Sequence, residues 1–99
     1  MIGFNTKFKT TPENREKFSQ ILASAAQAMS TIADCVLYVV SEDENDPSVL
    51  WVTEAWTSAE AHDASLVTDA AKALIAEAMP LLTERPVQTK LKSLEGKGI

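Results

Sequence analysis

The chain opens on an alternation. Ile2, Phe4, Thr6 and Phe8 fall on one face and Gly3, Asn5, Lys7 and Lys9 on the other, which predicts a strand over residues 2–9. Thr10 and Glu13 have capping-box spacing, and Pro12 suits a first helical turn, where its missing N–H costs little. Phe18, Ile21, Leu22, Ala25, Met29 and Ile32 then recur at three- and four-residue steps, one apolar stripe of a helix running from 12 to about 31. Cys35 to Val40 is apolar on both faces, short and β-branched, which predicts a second strand covered on both sides. Residues 41–48 carry Glu42, Asp43, Glu44, Asn45, Asp46 and Pro47, a solvated connection with turn chemistry.

Val49 to Trp56 reads as a third strand, with Val49, Trp51, Thr53 and Ala55 on one face and Leu50, Val52, Glu54 and Trp56 on the other. Thr57 to Glu60 has capping-box spacing again and starts a helix through about Leu66. Thr68-Asp69 can restart it, and Ala71, Leu74, Ile75, Ala78, Met79 and Leu82 supply its stripe until Pro80 forces a kink or stop. Val87 to Leu94 reads as a weaker final strand. The order is β-α-β, β-α-β, an α+β split βαβ arrangement with a four-stranded antiparallel sheet and helices on one face.

Helices on one face leave the other bare. Some of Val36, Tyr38, Val40, Leu50, Val52 and Trp56 would then meet water, a patch uncommon on a soluble monomer. A two-fold homodimer with sheets packed face to face is the simplest remedy.

Composition narrows the functions. The 99 residues suit one domain over 1–99, and the net charge of −5 with scattered Lys and Arg argues against nucleic acid and against a polybasic membrane anchor. No apolar stretch reaches the ~18 residues of a membrane span, and the N-terminus lacks signal-peptide order. A lone cysteine, Cys35, makes no internal disulfide, so a cytoplasmic home is the default. One His and one Cys make a Cys/His zinc site implausible, although carboxylates could hold a hard cation. Glycines only at 3, 96 and 98 leave no phosphate-cradling loop, which disfavours the cofactors bound through one.

The polar residues among apolar neighbours are the candidates for chemistry. His62 is either a general base or a donor to a substrate oxygen, or a tie from the helix start to nearby backbone. Trp56 is either the floor of an aromatic-binding pocket or an ordinary core residue. Glu54 amid apolar groups must pair or be protonated; a structural salt bridge to Arg85 is the favoured reading, and a second acid–base group the other. Tyr38 offers its hydroxyl to a substrate or across a dimer. Ser65 shares a helix face with His62, but a Ser65–His62–Asp63 triad is improbable because residues 62 and 63 point in different directions. Asn5 reaches either a ligand or a dimer face. Trp51 reads as packing, and Cys35 as a small buried hydrophobe.

Several segments together resemble a known family. Asp34 to Tyr38, the turn ending Asp46-Pro47, Trp51 to Ser58 and His62-Asp63-Ala64-Ser65-Leu66 are similar to the antibiotic biosynthesis monooxygenase domain, closest to its quinol monooxygenase branch. The likeness extends to Met79-Pro80-Leu81-Leu82 and the Gly96-Lys97-Gly98 tail. It implies a ferredoxin-like fold that dimerises into an α+β barrel. It also implies oxidation of a small quinol or polyphenol by O2 with no metal, flavin or other cofactor. His62 would then serve as base or proton relay, Trp56 as stacking wall, and Tyr38 and Ser65 as orienting groups. Alternatives are a non-catalytic small-molecule-binding dimer and a haem-binding or haem-degrading relative. The haem-degrading branch carries its helix histidine further along, at a position where this chain has none.

Overall fold

In the computed structural model, which describes all 99 residues, the alternation at the N-terminus becomes strand β1 (Ile2–Lys9). Strands β2 (Cys35–Glu42), β3 (Val49–Trp56) and β4 (Val87–Lys92) complete a four-stranded antiparallel sheet in the order β2-β3-β1-β4. With helices α1 (Arg15–Met29), α2 (Ala59–Ser65) and α3 (Asp69–Ala78) this is the ferredoxin-like α+β arrangement. No helix is long and apolar enough to cross a membrane.

Helix starts depart from the expected caps. Residues 12–14 form a separate 3-10 turn before α1, and neither Thr11 nor Asn14 caps with its side chain. Thr10 is spent elsewhere: its hydroxyl donates to the Leu81 carbonyl and its N–H to the Ser48 carbonyl at 2.8 Å, tying β1 to two loops. At α2 the cap is Ser58, whose hydroxyl accepts from the Ala61 N–H at 3.1 Å, while Thr57 donates to Asp34 at 2.7 Å. Thr68 caps α3 as expected, and the chain leaves that helix in a 3-10 turn over Met79–Leu81 that accommodates Pro80.

The sheet faces are the reverse of those expected for the apolar strands. A register shift between Cys35 and Leu37 sets Val36 as an extra residue, after which Tyr38 pairs with Glu54 and Val40 with Val52. Those side chains, with Leu50 and Trp56, lie under the helices rather than on the bare face. Phe18, Leu22, Leu50 and Val52 form the buried core, with Phe8, Tyr38 and Val40 packed against it. The bare face instead carries Leu37 and Val39 from β2 and Val87 and Leu91 from β4, between 36% and 59% exposed. Strand β4 therefore turns its apolar residues away from the helices and Gln88, Lys90 and Lys92 toward them. Trp51, expected to be pure packing, also donates its indole N–H to Asp43 at 2.9 Å, which holds that carboxyl below its usual range and stiffens the acidic turn.

Candidate functional site

The inward row of β3 continues past Leu50 and Val52 to Glu54 and Trp56, and helix α2 sets His62 against them. Trp56 is fully buried and donates its indole N–H to Glu54 Oε1 at 3.0 Å. The same oxygen lies 3.7 Å from His62 Nε2. Phe4 stacks on the imidazole with ring centroids 3.9 Å apart, and Trp56 meets it edge-on at 5.5 Å. The imidazole is thus fixed by aromatic faces on one strand pair and a carboxylate between them. Its other nitrogen, Nδ1, is 3.3 Å from the exposed carboxylate of Asp63.

Glu54 does not pair with Arg85, which stands exposed and makes no ion pair. Its partners come from two residues along its own strand and from α2, because the sheet register leaves the end of β3 under that helix. Burial pushes the Glu54 carboxyl up, against the lowering influence of the Trp56 N–H and His62. Tyr38, opposite Glu54 in the register, has its phenol pushed well up by burial and then by the Glu54 charge. The hydroxyl therefore keeps its proton across the physiological range and is available as a hydrogen-bond donor. Cys35 is raised for the same two reasons and stays a thiol, but it is only half-buried, not the buried hydrophobe expected.

These groups open into a cavity of about 410 Å³ between the sheet, α1 and α3. Tyr38, Glu54, His62 and Ser65 all line it. Two candidates do not. Trp56 lies behind Glu54 as an anchor for the carboxylate, and Asn5 sits on the bare face, where it accepts from the Thr53 hydroxyl at 3.2 Å. The Ser65 hydroxyl is turned to the His62 backbone carbonyl at 2.6 Å, so no Ser–His–Asp triad assembles, even though Asp63 does swing back to the ring. Two lining polar residues escaped the sequence reading: Thr6, and Gln88, which donates to the Thr6 hydroxyl at 3.1 Å. No signal in the spacing marks them, because the Thr6–Gln88 pairing is set by the β1–β4 register.

The ferredoxin-like sheet thus carries a hollow beneath its helices, lined by Glu54 and Tyr38 from the sheet and His62 from α2, a concave and mostly apolar shape suited to a small molecule. The family model for antibiotic biosynthesis monooxygenase matches residues 1–77, and the chain belongs to that family. Among solved structures it is similar to one from Chloroflexus aurantiacus at 33% identity, covering 96% of each chain with a TM-score of 0.77. A structure from Deinococcus radiodurans is 26% identical over 100% of this chain and 98% of that one, with a TM-score of 0.87. One from Nitrosomonas europaea, 12% identical over 96% of this chain and 100% of that one, shares the fold at a TM-score of 0.91. The names of all three contain the words antibiotic biosynthesis monooxygenase. No curated protein matches the sequence.

Proposed function

We propose that this protein is a cofactor-independent monooxygenase that oxidises a small quinol or polyphenol with O2. The observation that carries the reading is a buried imidazole–carboxylate pair and a protonated phenol lining one mostly apolar cavity. His62 takes a proton from the substrate hydroxyl, with Glu54 behind it to stabilise the charge that the imidazole gains. The resulting anion is electron-rich enough to pass one electron to O2, and the radical pair joins at a ring carbon. The proton held at His62 goes to the outer oxygen of the resulting peroxide; the C–H bond at that ring carbon then breaks, its electron pair forms the C=O as the O–O bond parts, and its proton joins the departing hydroxide as water. For a simple hydroquinone the products are a hydroxyquinone and one water. The ring loses four electrons and O2 gains four, so no external reductant is required. Tyr38 donates a hydrogen bond to the ring oxygen, where negative charge develops.

The reading includes a homodimer closed over the bare sheet face, supported by the exposed Leu37, Val39, Val87 and Leu91. Sedimentation is expected to show a dimer that Val39→Lys dissociates.

Oxygen uptake with hydroquinone, measured with and without protein, tests the activity. Uptake with ¹⁸O appearing in the quinone, and a loss of about 10²–10⁴-fold in His62→Ala, is the expected result. Uptake equal to the protein-free blank overturns it and leaves the non-catalytic binding dimer.

A further inference from the structure

The apolar stripes of α1 and α3 follow the periodicity of core helices, and the two helices touch, yet their stripes are not packed to full burial. No residue of α3 is buried, and on α1 burial stops at Leu22. Beyond that point Ala25, Ala28 and Met29 face Ala71, Leu74 and Ile75 across the cavity. An apolar wall without a partner is normally filled by a neighbouring side chain, because an unfilled one forfeits its dispersion contacts. Here the wall residues are short: three of these six are alanines.

Size decides what fills the gap. An apolar cavity of about 150 Å³ suffices for benzene. A single hydroxylated ring held at Tyr38, Glu54 and His62 would therefore occupy less than half of the 410 Å³, and the remainder is the part walled by α1 and α3. Water there would find almost no polar partner. We infer that the ligand of this site is an amphiphilic phenol: a hydroxylated ring at the His62–Glu54 end, bearing an apolar substituent that lies between α1 and α3 and completes their packing. The inference rests on the functional reading above only for the choice of a phenolic head.

The test uses redox-quiet probes, so that binding is read apart from oxygen chemistry. Dissociation constants for phenol, 4-ethylphenol and 4-butylphenol are measured by calorimetry on the full chain. Each added methylene is expected to tighten binding about fourfold, the value for burying one CH2. Ala25→Leu and Ala71→Leu, which fill the slot from opposite walls, flatten the series. Ala23→Leu, on the exposed side of α1 and outside the cavity, keeps the slope. Dissociation constants independent of chain length in the wild-type protein overturn the inference, as does an unchanged slope in both wall variants. A chain-length slope without any oxygen uptake upholds it while removing the oxygenase reading. Uptake with hydroquinone but no slope does the reverse.

Discussion

Strand β3 turns Leu50, Val52, Glu54 and Trp56 toward the helices, and the two halves of that row do opposite things. Leu50 and Val52 meet Phe18 and Leu22 in a buried core, in which Leu50 and Phe18 are wholly enclosed while Val52 and Leu22 also border the cavity. Glu54, on the same face of the same strand, meets a histidine and a cavity, and Trp56 stands behind it against the same histidine. The packed half gains free energy from apolar area removed from water. The hollow half loses some of it, since it buries a carboxylate and leaves the α1 and α3 stripes incompletely covered. Within one continuous strand, the site costs stability that the neighbouring core supplies.

Matched truncations at the two ends break or sharpen this contrast. Leu50→Ala is expected to lower the unfolding free energy by about 2–5 kcal/mol in a urea titration, because the removed side chain leaves a void in a filled region. Leu74→Ala, whose side chain already borders empty space, is expected to cost about 1 kcal/mol or less. Equal losses would mean that the cavity closes in solution.

Tyr38→Phe follows in size. The phenol is held protonated by burial and by Glu54, so its hydroxyl acts as a donor and not as a titrating group. Its loss is expected to reduce kcat/KM for hydroquinone up to about tenfold, the worth of one hydrogen bond. The shape of the pH–rate profile between pH 6 and 9 is expected to stay the same. A profile that changes shape would make Tyr38 a base.

Glu54→Gln has the smallest expected effect on stability, and its sign is the informative part. The folded-state carboxyl is raised, so the native protein binds the proton more tightly than the unfolded chain. The wild-type protein therefore loses stability as pH rises from the ordinary carboxylate value through the folded one, and stays penalised above it. Glutamine keeps an acceptor for the Trp56 N–H and removes that penalty. The variant is expected to be more stable at pH 8 by on the order of 1 kcal/mol, with the gap closing toward pH 4. A less stable variant at pH 8 would show that the His62–Glu54 attraction outweighs desolvation.

Much of the fold was legible before any coordinates. The bounds of β1 and β3, the restart at Thr68 and the break at Pro80 all follow from local period and local backbone chemistry. The site was half legible. His62, Glu54 and Tyr38 stood out as polar groups in apolar segments, and all three line the cavity. Gln88 and the anchoring role of Trp56 did not stand out, since neither a hydrogen-bond partner across the sheet nor a position behind another side chain leaves a mark in spacing.

Period and composition, properties of neighbouring residues, determined which segments are strands and helices and that the sheet would be greasy on both sides. Which face is which was decided only by the tertiary structure: one extra residue at Val36 sets the phase of β2, and phase cannot be read from a strand that is apolar on both faces. The partner of Glu54 was decided the same way. A buried carboxylate must find a donor, but the register of β3 beneath α2, and not nearness in sequence, made that donor Trp56 and that neighbour His62.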